Sequence, residues 1–170
     1  MAMKGKWAQG IKPRNFAWVI QDTIAVCERP GGYGTNHRRV RRQEEIIWIR
    51  EQGFTRVVSL IPTSHNLHNY DEHGVAWLHR PFGPADDPIE VLRDLYPRID
   101  ELTADDGKIL IHRDELGDIV AGVVAGYLAW TGLIKEQPRV VTAVERLLHR
   151  QLGPEGRELV SLAGELAAER

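Results

Sequence analysis

With 170 residues, a net charge of −2, 42% hydrophobic and 27% charged residues, the chain is sized for one globular domain with a real core and too short for two. This balance excludes a chain drawn as a whole to nucleic acid or anionic lipid, and no apolar run approaches the ~18 residues that cross a bilayer. One cysteine, Cys27, excludes an internal disulfide and fits a reducing compartment, so the cytoplasm is the expected location.

Residues 1–14 are rich in Gly, Lys and Pro and read as a loose arm ahead of a single domain over 15–170. They carry positive charge without the apolar stretch of a secretory signal. Phe16 to Ile20 and Ile24 to Cys27 are β-branched and aromatic runs separated by Gln21-Asp22-Thr23, which predicts a hairpin or two adjacent strands. Arg29 to Gly34, with one proline and three glycines, breaks regular structure. Thr35 or Asn36 then caps a helix that runs to about Gln52 and stops at Gly53. Arg56 to Leu60 predicts a buried strand and Ala76 to His79 a short one, with a polar loop and helical turn between them.

Pro81 to Pro88 is a loop, and from Ile89 the apolar residues Leu92, Leu95, Tyr96, Ile99 and Leu102 recur at helical spacing, with Pro97 a potential kink. Lys108 to Ile111 is another buried strand, His112 to Asp118 a loop, and Ile119 to Thr131 a nearly all-apolar helix ended by Gly132. Helices over about Pro138 to Leu152 and Glu155 to Glu169 complete the chain and pack on the domain or serve self-association. Strands alternating with helices, then helices alone, predict an α/β fold with one central, mostly parallel sheet flanked by helices.

Residues 108–132 are the most informative stretch. A buried strand delivers a short loop that feeds a buried helix, a geometry that aims backbone N–H groups and a helix dipole at one spot. Here the chain resembles the cysteine-dependent protein phosphatases, in particular the compact dual-specificity group, whose signature is an apolar strand ending in His-Cys, five loop residues, Arg and a small-residue-rich helix. The likeness runs in order through the strands of 16–31, the helix followed by Gly53 and Arg56 to Leu60, and Gly74 to Phe82 followed by Asp86 and Asp87, where the family carries its general acid.

Aligned on His112, the family's cysteine falls on Arg113 and its arginine on Ile119. Gly117 lies one place after the loop's usual glycine, whose own position holds Leu116. Thiolate attack on phosphorus needs the sulfur, and the equatorial oxygens need a cationic fork. A permanently protonated guanidinium and an isoleucine supply neither. The resemblance therefore implies the fold with a degenerate loop, His112 to Ile119, and a role in binding, most simply to another protein.

The loop sets Arg113 against three carboxylates, Asp114, Glu115 and Asp118, and each costs a phosphate charge on the order of 3 kcal/mol at ~5 Å and an effective dielectric near 20. Phosphate binding is expected to be weak or absent unless all three turn outward. Asp118 is expected to cap the helix at Ile119, and Arg113 to fill the vacated anion seat and pair with Asp86, Asp87 or a loop carboxylate. His112 organises the loop by hydrogen bonding, and Asp86 and Asp87 cap the helix at Ile89.

Elsewhere the bland readings prevail. Cys27 has no helix start nearby to activate it, and after five intervening residues comes Tyr33, where an enzyme of this family would need Arg, so the thiol is structural. His65, His68 and His73 lack metal-ligand spacing, and neither a metal nor another cofactor is expected. Arg38, Arg39, Arg41 and Arg42 form a charged helix face or a docking patch for an acidic protein. Without interleaved aromatics a nucleic-acid partner is disfavoured. The alternative to a binding module is acid/base chemistry by Glu115 with Asp86 or Asp87 in the same cleft, or a nucleic-acid or phospholigand reader built on the arginine run.

Overall fold

The computed structural model describes residues 9–33 and 38–170. The Thr35 or Asn36 cap and the first eight residues of the proposed arm lie outside them.

Five strands form one mixed sheet: β1 (Ala17–Ile20), β2 (Ile24–Cys27), β3 (Arg56–Ser59), β4 (Trp77–His79) and β5 (Ile109–His112), in the order β1-β2-β5-β3-β4. β1 and β2 pair antiparallel through a turn in which Asp22 takes φ 56°, and the other three pairings are parallel. β5 is central, with parallel neighbours on both sides, and it reads ILIH because both of its faces are covered.

The helices divide over the two faces. Below lie α1 (Arg39–Glu51) and α2 (His68–Glu72), whose Ile46, Ile49 and Tyr70 pack with Ala25, Val57 and Leu110. Above lie α3 (Pro88–Thr103), α4 (Asp118–Thr131), α5 (Gln137–Leu148) and α6 (Pro154–Ala168), around a larger core that includes Val58, Ile109, Ile111, Leu95 and Val124. The last two helices thus belong to the domain. α3 continues across Pro97, and α4 ends on Gly132 at φ 79°, the left-handed cap the sequence predicts. No helix among the described residues is long and apolar enough to cross a membrane.

α4 is nearly all apolar because it is enclosed by α3, α5 and α6, and its closest neighbour is α6. The two backbones almost touch: a Cβ on Gly122 would lie 2.6 Å from the Gly156 Cα. A side chain at either glycine would push the helices apart.

One expectation fails here. The described part of the arm is packed on α1: Ile11 N–H donates to Glu44 O at 3.0 Å, Pro13 is buried, and a Cβ on Gly10 would lie 2.3 Å from Glu44 O. The glycine signals close approach between backbones.

Candidate functional site

β5 ends at the carboxyl edge of the sheet, and its last residue sets the loop. His112 is 1% exposed and lies beside Cys27 of β2 and Ser59 of β3 in the register. Its Nδ1 is 3.1 Å from Arg113 O and its Nε2 2.8 Å from the Tyr70 hydroxyl. A carbonyl only accepts, so Nδ1 carries the proton and Nε2 accepts from Tyr70, which leaves the ring neutral. Burial pushes its pKa down to about 4. His112 is thus a fixed strut between α2 and the start of the loop.

The loop carboxylates all have partners away from one another. Asp114 pairs with Arg29 at 3.3 Å, while its carbonyl accepts Arg29 N–H at 3.2 Å and Arg29 also donates to His65 O at 3.1 Å. Glu115 accepts from the Tyr33 hydroxyl at 3.2 Å, so it stands over the 29–33 turn and not in a cleft, which removes it from acid/base work with Asp86. Arg150 donates to Leu116 O.

Asp118 corrects the sequence expectation most clearly. The cap position of α4 belongs to Gly117, with no side-chain cap. The Asp118 carboxylate instead accepts Gly153 N–H and Gly156 N–H, both at 2.7 Å, at the first turn of α6. It caps the neighbouring helix, whose own cap residue, Gly153, has no side chain to do so. A cap for α4 is read from adjacency in sequence, but the close packing at Gly122 brings a stronger claimant.

Arg113 also departs from expectation. Its Nε–H donates to Phe82 O at 3.0 Å, and it forms no ion pair with Asp86, Asp87 or a loop carboxylate among the described residues. Asp86 accepts Gly83 N–H at 2.6 Å and closes its own turn. Asp87 is the cap of α3, accepting Ile89 N–H at 3.2 Å.

Arg113, Ile119 and Asp86 meet at one cavity of about 350 Å³. Residues far apart in sequence complete it: Phe82 and Leu159 supply apolar wall, and α6 adds Glu155 and Glu158. Sequence reasoning missed these two glutamates. Their spacing of three on one helix was visible, but nothing local says that this face of α6 turns towards the loop after β5.

The arginine run does not form one patch. Arg38 and Arg39 are exposed, Arg41 pairs with the buried Glu45 at 2.6 Å, and Arg42 is only 8% exposed beneath the 29–33 turn. Glu45 in turn accepts Gly31 N–H at 2.8 Å, and burial raises its pKa despite both donors. The run splits because helical geometry sends residues 38 and 39 outward and 42 inward. His65, His68 and His73 form no metal-binding group with Cys, Asp or Glu among the described residues. Cys27 is fully buried, and desolvation raises its pKa well above the ordinary thiol value.

A central strand, a cradle-shaped loop and a buried helix at the carboxyl edge of a mixed five-stranded sheet define the fold of the dual-specificity and tyrosine phosphatases. Solved structures with that fold superpose on this chain. Kinase-associated phosphatase (KAP), carrying a serine in place of its catalytic-site cysteine, gives a TM-score of 0.76 at 16% identity, over 92% of this chain and 98% of that one. Tk-PTP in its active form gives 0.71 at 18% identity, over 92% and 98%. Human DUSP28 gives 0.68 at 15% identity, over 94% and 100%. No protein-family model and no curated protein sequence matches. At these identities the likeness establishes the fold.

Proposed function

We propose that this chain is a catalytically inactive phosphatase-fold protein that works by binding another protein. One observation carries the reading. In the position where strand, loop and helix converge, the side chain is Arg113, tied by Nε to Phe82 O, and the only thiol, Cys27, is shut inside β2 with a raised pKa. A buried, protonated thiol is no nucleophile, and a guanidinium cannot form a phospho-intermediate. Ile119, in the position the resemblance assigns to the phosphate-holding arginine, offers no donor to equatorial oxygens.

The cleft's charge supports the same reading. Asp86, Glu155 and Glu158 face a single guanidinium there, and a phosphate dianion placed among them meets repulsion on the order of 3 kcal/mol per carboxylate at ~5 Å. The loop carboxylates do not provide this repulsion, because they turn to Arg29, Tyr33 and α6. The charge argument against phosphate then rests on Asp86, Glu155 and Glu158 and not on the loop carboxylates.

The test is hydrolysis of p-nitrophenyl phosphate and a phosphotyrosine peptide by highly purified protein. The rate should equal that of the protein-free control. Turnover that disappears in Arg113→Ala overturns the proposal.

A further inference from the structure

Two kinds of charge line the cleft, and they do not neutralise each other. Arg113 uses Nε for Phe82 O, and its terminal nitrogens make no hydrogen bond or ion pair among the described residues. Glu155 and Glu158, one turn apart on the exposed side of α6, also have no cationic partner there, and Asp86 holds only Gly83 N–H. The guanidinium and the carboxylates therefore stand apart across the cavity. Phe82, Ile119 and Leu159 give it an apolar wall, and its volume of about 350 Å³ lies in the range of sites that enclose small ligand groups, about 300–1,000 Å³.

We propose that this cleft is a docking slot for a partner's polypeptide segment carrying an acidic and a basic side chain close together, the acid seated on Arg113 and the base on Glu155 and Glu158. The inference rests on the binding-module reading above and specifies its partner chemistry. A purely anionic occupant satisfies one guanidinium and meets three carboxylates. A purely basic one satisfies the carboxylates while covering Arg113 unpaired, and an uncompensated buried charge is strongly unfavourable. A dipolar segment neutralises both sides, and its aliphatic stems cover the apolar wall.

The experiment pans a phage library of random hexapeptides on the full-length protein, with synthetic copies of the selected sequences measured by calorimetry. Selected peptides should carry Asp or Glu within a few residues of Lys or Arg. Their affinity should fall about tenfold towards Glu155→Gln/Glu158→Gln and again towards Arg113→Gln. Both glutamates are exposed, so the first variant folds whatever the fate of the second. Selection of peptides without charge bias, equal affinity for the glutamine variant, or no retention above a matrix control overturns the slot. Hydrolysis of a phosphotyrosine peptide by the same material would instead sink the inactive reading beneath it.

Discussion

Asp118→Ala should be one of the most damaging single changes at the edge of the cleft, although Asp118 is neither in the core nor in the cavity lining. Its carboxylate accepts two backbone N–H groups, from Gly153 and Gly156, each at 2.7 Å. Both donors are otherwise orphans of the first turn of α6. Hydrogen bonds to a charged group contribute about 1.5–3 kcal/mol, and loss of a helix cap costs about 0.5–2 kcal/mol. Because Asp118 is partly exposed, the low end applies, and about 2–4 kcal/mol is expected for the pair. For a domain of this size that is a fall in Tm of roughly 4–16 °C. Urea unfolding followed by circular dichroism checks it, with the midpoint lowered and the slope unchanged. Asp118→Asn keeps one acceptor oxygen and should lose about half as much. A loss below about 0.5 kcal/mol, or equal losses in Asn and Ala, would refute the inter-helix cap.

Gly126→Ala places a Cβ 2.3 Å from the Tyr96 hydroxyl, which donates to Val123 O at 3.0 Å, and 2.9 Å from Ala163 Cβ, so urea unfolding should show a loss of about 1–3 kcal/mol. His112 is depressed from 6.5 to about 4 in the fold, so the unfolded chain binds the proton more readily; its contribution to stability is complete above pH 6.5 and is lost as pH falls through 4, to a limit of about 3 kcal/mol. A nitrogen-detected NMR titration should find the His112 ring neutral at pH 5.5, and a ring that protonates near 6.5 would contradict the burial argument. Cys27, fully buried, should resist a thiol reagent such as DTNB in buffer and react at once in denaturing urea. Rapid labelling of the folded protein would mean that the sheet edge opens.

Much of the fold was legible because each element announces itself over a few residues. Ile24 to Cys27 and Ile109 to Ile111 alternate with nothing polar, which suits strands covered on both faces, and the spacing from Ile89 to Leu102 allows only a helix. The place of Arg113 was likewise visible from local order, since it directly follows His112 at the end of a strand.

What the sequence by itself determined is therefore the strand–loop–helix unit and the residues, His112 to Ile119, that occupy its loop. Tertiary structure decided where the charges went: Asp118 to a helix 35 and 38 residues away, Asp114 to Arg29, Arg42 inward, and Glu155 and Glu158 into the cleft. Periodicity says which face of a helix is apolar. The rotation and height at which two helices meet come from packing at close contacts such as Gly122 on Gly156, and only these choose a charged side chain's partner.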